Sequence, residues 1–369
     1  MKMQVKEKVL ALCYHPLYPV NFGSAVRNFQ IIKHLTKKYK MYVVSPPCEV
    51  HNDDIDITLY DIAKRGIKNP LLDIHLLRFM VSLMRREGIK VIFQKDIYCG
   101  FYAILLRLIT GVPLYIDEHN VEFIRLKRMG NRYWWVLKIF EGILCRFSKG
   151  IFCVSELDKD LIIKYLNSEG GKIKVILNGF EFNEDKYKDL DLEKIRFDNG
   201  VQAVEKAILF FGNLYYQPNR EAIEIIFDQI LPRIDGKIDY KLWIMGKGEL
   251  SEDIRKRPHP RVIFLGEKPD VYPYILASDL IIVPLISGGG TRIKIIESIA
   301  AGKRVLSTSF GAEGIEREGL EENLVVQDDW DQFANQRIRL LMNSHDRLAI
   351  PRHFIDKFRW EKIVEKIKF

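Results

Sequence analysis

The sequence predicts an α/β protein built from two doubly wound, Rossmann-like domains that face a cleft. Its 369 residues exceed the size of one ordinary hydrophobic core and favour two domains. Short β-branched runs alternate with longer amphipathic stretches, which is typical of parallel sheets covered by helices on both faces. The alternation stops in the polar, charged residues 181–206 and then starts again, so this segment is expected to connect the domains.

The N-terminal domain is expected over residues 1–180. Amphipathic stretches between its strands predict helices at Ala25–Lys38, Leu71–Arg86 and Tyr133–Phe147. Strands are expected where β-branched and other apolar residues cluster, at Lys8–Cys13, Met41–Ser45, Val91–Gln94, Pro113–Asp117, Ile151–Val154 and Lys174–Leu177.

The C-terminal domain is expected over residues 207–350, after the connecting segment. Its predicted strands are Ala207–Gly212, Lys241–Met245, Val262–Leu265, Leu280–Pro284, Arg304–Ser307 and Leu324–Val326. Residues 351–369 predict one further amphipathic helix that carries Trp360. Ligands of open α/β sheets bind outside the carboxyl ends of the strands, so the loops after the strands are the candidates for chemistry.

Composition narrows the class of protein. Hydrophobic residues make up 47% and charged residues 29% of the chain, which indicates a soluble globular protein. No apolar run reaches the ~20 residues that span a bilayer. The early apolar run Val9–Cys13 is shorter than the ~7–15 residues of a signal-peptide core. We therefore expect a cytoplasmic location.

Cysteine and histidine usage gives no sign of a metal site. The five cysteines form no CxxC pair, and the eight histidines form no HxH or HExxH pair. Most of the cysteines lie in apolar runs, so buried thiols are expected. The sequence predicts neither a structural metal nor another bound cofactor.

Charge is unevenly distributed along the chain. The net charge is +8 overall, whereas residues 1–150 hold 24 Lys plus Arg against 13 Asp plus Glu, a net charge of +11. A basic half can attract phosphates, nucleic acid or an anionic membrane surface. A solvated basic face is the alternative.

Two stretches combine cations with large apolar side chains: Leu76–Arg86 and Ile124–Lys138. Trp134 and Trp135 in the second are of the type that settles at the lipid headgroups. We expect these stretches to dock the protein peripherally on an anionic membrane surface, and we expect no nucleic-acid partner. The alternative is that both stretches are ordinary amphipathic helices packed on the sheet.

The most informative loop follows the strand that ends at Pro284. Its glycines Gly288, Gly289 and Gly290 lack a Cβ and let backbone N–H groups approach an anion closely. Thr291 is a suitable N-cap for a helix that runs to about Ala301 and stops at Gly302. The start of such a helix carries about half a positive charge and favours phosphate.

Charged residues in this helix fit a phosphate ligand. Arg292 and Lys294 are expected in the first turn, where cations are normally unfavourable unless an anion lies there. Glu297 shares a helix face with Lys294 and is an acceptor suited to a pair of ribose hydroxyls. The alternative is a flexible loop with a capped helix and a Lys–Glu pair.

Other nucleotide-binding motifs are missing from the sequence. It has no GxxxxGK[ST] P-loop, and the first strand does not lead into GxGxxG, which disfavours a nucleotide-dependent dehydrogenase. The segment after the first strand contains Gly23 and Ser24 at a helix start. These residues could face a phosphate, although the signal is weak by itself.

Nine segments of the sequence, among them Gly23–Arg27 and the glycine-rich loop before Glu297, together resemble the GT-B glycosyltransferases, specifically retaining family 4 (glycosyl transferases group 1). The resemblance runs through nearly the whole chain and is specific in combination. The matching segments are Gly23–Arg27, Asp117–Glu122, Val154–Glu156, Asn178–Gly179, Phe211–Asn219, Met245–Glu249, Leu265–Gly266, Gly289–Glu297 and Ala301–Gly302.

The resemblance implies transfer of a sugar from a nucleotide-diphosphate sugar to a glycan or lipid-linked acceptor, with retention of configuration and without a metal. It implies that residues 351–369 cross back to the N-terminal, acceptor-side domain. The implied catalytic residues are His119, Arg292 and Lys294. The implied donor-binding residues are Gly23, Gly212, Asn213, Gly246, Gly248, Gly266, Glu267, Gly289, Gly290, Thr291 and Glu297. The implied acceptor or cleft residues are Glu122, Ser155 and Asn178.

This sequence departs from the family pattern in two ways. The family commonly has two glutamates with seven residues between them; Glu297 corresponds to the second, and Gly289 stands at the position of the first. The family also commonly has an Arg and a Lys in the loop that corresponds to Asn213–Asn219, and this loop has neither cation. Arg292 and Lys294 are expected to replace them. The competing hypotheses are a catalytically inactive GT-B accessory protein that binds nucleotides, or a related epimerase or phosphorylase.

Overall fold

A computed structural model describes residues 6–18, 23–48, 55–61, 73–288, 292–342 and 347–369 of the chain. The chain divides into two compact units. The first contains the described residues up to Asn178 together with Trp360–Phe369, and the second is Gly179–Arg359. Each unit is a parallel sheet flanked by helices, which confirms the predicted fold class.

The sheet of the first unit has the strand order β3-β2-β1-β4-β5-β6-β7, and every pairing between described strands is parallel. The strands are β1 Glu7–Leu12, β2 Tyr39–Ser45, β3 Ile57–Asp61, β4 Val91–Gln94, β5 Leu114–Glu118, β6 Gly150–Cys153 and β7 Ile173–Val175. The order reverses beside β1, the switch point at which open α/β sheets bind their ligands.

Helices cover both faces of this sheet and bury one hydrophobic cluster on each face. Asp73 caps the second helix, because its Oδ1 accepts from the N–H groups of His75 at 2.7 Å and Leu76 at 3.2 Å. The helices are α1 Gly23–Leu35, α2 Ile74–Glu87, α3 Gly100–Thr110, α4 Glu122–Arg128, α5 Trp134–Phe147 and α6 Glu156–Leu166.

The sheet of the second unit has the order β10-β9-β8-β11-β12-β13 and is also parallel. Its strands are β8 Lys206–Phe211, β9 Tyr240–Met245, β10 Val262–Gly266, β11 Leu280–Val283, β12 Val305–Ser307 and β13 Leu324–Val326. Its helices are α7 Leu192–Asp198, α8 Gln217–Ile225, α9 Leu231–Ile234, α10 Glu252–Arg255, α11 Tyr272–Ala277, α12 Ile293–Ala300, α13 Trp330–Met342 and α14 Arg352–Phe358.

The polar residues 181–206, which we expected to connect the domains, belong to the second unit. They contain α7, whose Arg196 Nη1 donates to the Ala277 carbonyl at 3.1 Å and pairs with Asp279 at 3.0 Å. The segment is polar because only one side of this short helix packs on the unit.

Residues 351–369 form two short helices where the sequence predicted one. Helix α14 ends at Phe358, and α15, Trp360–Val364, follows directly. Arg359 between them is extended and forms a parallel bridge with Phe180. Trp360 and Ile363 are about 1% exposed in the core of the first unit, so the chain passes from the second unit to the first at Arg359.

Each strand predicted from the sequence has a counterpart in the structure, displaced at the ends by one or two residues. The sequence analysis missed β3, whose residues are all half-buried at the edge of the sheet and therefore give no strong apolar run. Within the described residues, none of the helices is both long and apolar enough to span a membrane.

Candidate functional site

The carboxyl edge of the second sheet is rich in glycine. Because the strands are parallel, the loops after β8, β9, β10 and β11 leave from the same edge. Gly212 follows β8, Gly246 and Gly248 follow β9, Gly266 ends β10, and Gly288 follows β11. All five have positive φ, a conformation that side-chain-bearing residues rarely adopt.

Three of these glycines are closely enclosed, and at Gly246 a Cβ would collide with backbone. A Cβ at Gly246 would lie 1.8 Å from the Gly212 carbonyl oxygen. A Cβ at Gly212 would lie 2.8 Å from Asn219 Nδ2 and 2.9 Å from Lys294 Nζ. At Gly248 it would lie 3.1 Å from the backbone nitrogen of Tyr215. The backbone of these loops is therefore packed directly against the polar groups that follow β8 and begin α12.

The helix after the glycine loop begins later than the sequence predicted. Its first residue is Ile293, and Arg292 occupies the cap position without a capping side-chain hydrogen bond. The predicted cap Thr291, together with Gly289 and Gly290, lies outside the described residues. Arg292 cannot accept a hydrogen bond from the helix N–H groups, so its side chain does not cap the helix.

Lys294 lies in the first turn of this helix and is turned toward the loop after β8. Its Nζ donates to Asn219 Oδ1 at 2.9 Å and lies 4.6 Å from the centre of the Phe210 ring. Burial, followed by the neighbouring Arg292 cation, lowers the pKa of Lys294 to about 7, while Glu297 acts in the opposite direction. An anion beside the lysine would restore its charge.

Glu297 lies one turn farther along α12. Burial raises the pKa of its carboxyl group to about 8, with a further contribution from Asp270, while Lys294 acts in the opposite direction. A carboxyl group in this environment is largely protonated near neutral pH and can both donate and accept hydrogen bonds. It is therefore suited to bind neutral hydroxyl groups.

The remaining predicted residues of this edge have different surroundings. Arg292 is buried, and its guanidinium carbon lies 5.5 Å from the centre of the Phe310 ring. Asn213 Oδ1 accepts from the Tyr215 N–H at 2.9 Å, and its carbonyl accepts from Asn219 Nδ2 at 2.8 Å. Glu267 follows β10 and is exposed. The edge thus combines a buried and a half-buried cation with closely packed glycine loops.

A buried ionic network lies at the carboxyl edge of the first sheet. Arg27 donates twice to Asp117, from Nε at 3.0 Å and from Nη2 at 2.6 Å. Lys95 Nζ donates to the same carboxylate. All three residues are at most 2% exposed. The two cations hold the pKa of Asp117 well below its usual range, which keeps the carboxylate charged despite its burial.

His119 joins this network from the end of β5. Its Nε2 lies 3.4 Å from Asp117 Oδ2, and its Nδ1 lies 3.5 Å from Asp96 Oδ1. The side chain is 10% exposed. The imidazole ring therefore lies between two carboxylates, with one ring nitrogen near each.

The other predicted residues of the first unit mostly serve their own fold. Glu122 accepts from Arg125 Nε at 2.7 Å. Ser155 caps α6 by accepting from the Asp158 N–H at 3.1 Å. Asn178 Oδ1 accepts from Arg27 Nη1 at 3.0 Å, which ties it to the ionic network. Gly23 is the first residue of α1 and is exposed.

Comparison with known proteins identifies the family of the chain. Residues 205–343 match the family described as glycosyl transferases group 1, and residues 23–184 match the family described as glycosyltransferase family 4. The chain is a group 1 glycosyltransferase of the GT-B fold. This confirms the resemblance to the GT-B glycosyltransferases of group 1 and the expectation that the protein is a transferase.

Individual relatives agree with this assignment. The glycosyltransferase is 24% identical over 319 residues to the Escherichia coli UDP-Gal:alpha-D-GlcNAc-diphosphoundecaprenol alpha-1,3-galactosyltransferase. This alignment covers 80% of this chain and 78% of the relative. It shares its fold with Anabaena HepE in complex with UDP and glucose (TM-score 0.73, 16% identity, 98% of both chains). WaaG, a glycosyltransferase involved in lipopolysaccharide biosynthesis, is also similar (TM-score 0.68, 16% identity, 97% and 98% of the chains).

The glycosyltransferase contains site residues that the sequence analysis did not single out. Asn219 orients Lys294, and Lys95 joins Arg27 around Asp117. A usable signal existed for Lys95, since a lysine directly after a buried strand needs a partner. Across the described ranges, the His, Cys, Asp and Glu side chains form no group of three that could hold a metal ion.

Proposed function

We propose that this glycosyltransferase moves a sugar from a nucleotide-diphosphate sugar to a glycan or lipid-linked acceptor, with retention of configuration and without a divalent metal. The observation that carries the proposal is the arrangement around α12. Arg292 and Lys294 lie at the start of this helix, Glu297 follows one turn later, and the glycine loops after β8 and β9 pack closely against each other, with Gly212 beside Lys294.

Each part of a nucleotide-sugar donor, namely the diphosphate, the ribose and the base, can be assigned to a part of this arrangement. A diphosphate fits the helix start, where two cations and the helix N–H groups can bind its oxygens. The ribose hydroxyls fit Glu297, whose carboxyl group is kept largely protonated by burial. The base fits the loops at Gly246, Gly248 and Gly266. The Anabaena relative of the same fold is described with UDP and glucose, which supports a uridine nucleotide as the first to test.

The chemical step breaks the bond between the anomeric carbon and the oxygen of the β-phosphate. The leaving diphosphate takes the electron pair and gains negative charge, which Arg292 and Lys294 stabilise electrostatically. These fixed cations can do the work that a divalent metal does at other diphosphate sites, and this supports metal-independent transfer.

We propose transfer on the front face of the sugar. An acceptor hydroxyl bonds to the anomeric carbon from the side that the diphosphate leaves, and a phosphate oxygen takes the hydroxyl proton. Glu297 is a poor nucleophile in its protonated form, which supports a route without a covalent sugar–enzyme intermediate. From the first unit we propose His119, with its ring held between Asp96 and Asp117, as a catalytic residue.

A lipid-linked acceptor is supported by the Escherichia coli relative, whose name specifies a diphosphoundecaprenol-linked sugar. The proposed acceptor class is therefore a sugar or sugar diphosphate carried on a lipid, with a free glycan as the alternative. The family resemblance implies Ser155 and Asn178 as acceptor-side residues. The Ser155 side chain caps α6, and the Asn178 side chain accepts from Arg27. We therefore propose that these two side chains hold the local backbone in place for the acceptor.

The test has two stages that separate binding from catalysis. Calorimetry with UDP, GDP, ADP and their sugars in excess chelator should reveal one nucleotide that binds the wild type and binds Lys294→Met weakly. Incubation of the matching nucleotide sugar with membrane lipid extracts should then give a glycolipid whose anomeric configuration, read by NMR, equals that of the donor. Nucleotide binding without transfer would favour the inactive accessory protein, and strict dependence on manganese or magnesium would overturn the metal-independent mechanism.

A further inference from the structure

We infer that the outward face of helices α4 and α5 docks on the surface of a bilayer that carries anionic lipids. This α4–α5 face consists of exposed apolar side chains and the cations around them. Its apolar members are Tyr133, Trp135, Val136, Ile139 and Ile143. The inference concerns this surface alone and does not depend on the proposed sugar transfer.

The exposed apolar residues form a row along α5. Trp135, Ile139 and Ile143 are spaced four residues apart and so share one side of the helix. Trp135 is 53% and Ile139 57% exposed, whereas the opposite side of the helix packs into the core. Beside the row lies a shallow groove of about 430 Å³, lined by Trp135, Ile139 and Tyr165 among others. Single exposed apolar residues are ordinary, but a continuous row marks an interaction surface.

The exposed charged side chains of α4, α5 and the residues beside them, 122–149, are all positive. Residues 122–149 contain seven Lys and Arg but only two acidic residues, Glu122 and Glu141. Both acidic residues are buried, at 9% and 1% exposure. Glu141 accepts from the backbone N–H groups of Glu122 at 2.7 Å and Phe123 at 3.0 Å. The exposed formal charges of this segment are therefore all positive.

This charge pattern distinguishes between possible partners. In a symmetric dimer the same patch faces itself, so the cations of the α4–α5 face would meet one another and repel. An anionic lipid surface attracts the cations and also accepts the apolar row at its headgroup boundary. Of these two partners, only the anionic bilayer can bind both the cations and the apolar row of the α4–α5 face.

Cations stand directly beside aromatic rings on this face. Lys127 Nζ lies 4.9 Å from the centre of the Trp134 ring, and the Arg132 guanidinium lies 4.7 Å from the centre of the Tyr133 ring. Aromatic rings of Trp and Tyr settle at the level of lipid headgroups. Cations next to them would meet the lipid phosphates at the same depth.

The structure restricts the docking surface to one of the two stretches identified in the sequence. Within Leu76–Arg86, the apolar side chains facing the core, such as Leu76, Met80 and Leu83, are at most 8% exposed, and the other apolar side chains are half-buried, so this stretch is an ordinary amphipathic helix. Trp134 packs against the hydrophobic core, whereas Trp135 points outward. The sequence could not distinguish the two tryptophans, because both lie in the same apolar and basic run.

The test is co-sedimentation of the purified protein with vesicles of phosphatidylcholine, alone or with phosphatidylglycerol, across a salt series. We expect binding to the anionic vesicles only, weakened by salt. Arg132→Glu with Arg146→Glu should lower the bound fraction at least about ten-fold at low salt. Trp135→Ala with Ile139→Ala should lower it by a similar factor. A blue shift of tryptophan emission on binding should disappear in Trp135→Phe.

Matched controls come from the second unit. Lys188→Glu with Lys237→Glu makes the same charge change at two exposed lysines, and Phe197→Ala removes a ring that is 77% exposed. Both controls should bind vesicles like the wild type. The inference is overturned if the wild type does not bind anionic vesicles, if the controls weaken binding as much as the α5 variants, or if the apolar double variant binds like wild type. It is also overturned if the wild type is a dimer that Trp135→Ala with Ile139→Ala dissociates.

Discussion

Lys294 and Asn219 are joined by a hydrogen bond of 2.9 Å between the lysine Nζ and the amide Oδ1. The amide is oriented by its second bond, from Nδ2 to the carbonyl oxygen of Asn213 at 2.8 Å. Its oxygen therefore faces the lysine before any ligand is present. The ammonium group is thus held beside Gly212, where the loops after β8 and β9 pack closely against each other.

The first prediction concerns this amide. Asn219→Ala removes the bond to Lys294 but adds no charge, so nucleoside diphosphate affinity should fall only a few-fold. Asn219→Asp places a carboxylate against the lysine and competes with the phosphate, so affinity should fall about ten-fold or more. Calorimetric titration with the best-binding nucleotide measures both. Equal affinities of the two variants would contradict the assigned position of the phosphate.

The second prediction is a pH dependence of donor binding. The pKa of Lys294 is lowered to about 7 in the free protein, and a bound diphosphate should raise it. The affinity is then at its fullest below about pH 7 and declines as the pH rises toward the pKa of the complex, by at most ten-fold per pH unit. Titrations in buffers of different ionisation enthalpy should detect proton uptake. Lys294→Met should bind weakly and lose this component of the pH dependence.

The third prediction tests the packing of the glycine edge. At Gly246 an added Cβ would lie 1.8 Å from the Gly212 carbonyl oxygen and would require a φ of +153°. Gly246→Ala should therefore destabilise the protein by about 3 kcal/mol or more. Gly236→Ala is the matched control, since its φ is +75° and no atom lies within 4 Å of an added Cβ, and it should cost about 1–2 kcal/mol. Urea unfolding measures both values, and equal costs would refute the packing argument.

The fourth prediction concerns the buried network of the first unit. Asp117→Asn leaves Arg27 and Lys95 buried without their shared carboxylate, which should destabilise this unit by about 3–5 kcal/mol. Glu249→Gln breaks an exposed pair with Arg255 and should cost about 1 kcal/mol or less. Denaturant unfolding followed by hydrogen exchange locates the effect. Similar small losses in both variants would show that the buried network contributes little.

The fifth prediction uses a buried acid that the mechanism leaves aside. Glu118 is 5% exposed, and burial, with Glu141 as the next contribution, raises the pKa of its carboxyl group well above 4.5. The folded protein then keeps a proton that the unfolded chain loses, so stability decreases as the pH rises from 4.5 toward the folded pKa. Glu118→Gln removes this decrease. Its melting temperature should match that of the wild type near pH 4.5 and exceed it increasingly toward pH 8; a constant difference would contradict the raised pKa.

The sequence predicted most of the architecture because parallel α/β sheets have strong local signals. Buried strands such as Leu280–Val283 are continuous apolar runs, and the amphipathic helices between them have clear periodicity. The edge strand Ile57–Asp61 was missed because it is half-buried and alternates weakly. The break at Arg359 was missed because the apolar pattern continues across it while the packing partner changes.

The site was predicted less completely, for physical reasons. Lys294 and Glu297 were recognisable because they lie close together on one helix after a glycine loop. Arg27, Lys95 and Asp117 come from distant positions in the chain, and their ionic network exists only because α1 begins, and β4 and β5 end, at the same edge of the sheet. The protonation of Lys294 and Glu297 depends on burial, which no local sequence pattern specifies.

The crossing at Arg359 has a consequence for biosynthesis. Trp360, Ile363 and Ile367 are at most 1% exposed and complete a hydrophobic cluster of the first unit. A ribosome releases them only after every residue of the second unit. At ~5–20 residues per second, synthesis of the second unit takes about 10–40 seconds, during which the surface of the first unit that Trp360 covers stays exposed. Although its sequence is made first, the first unit acquires its complete core after the second unit has been synthesised.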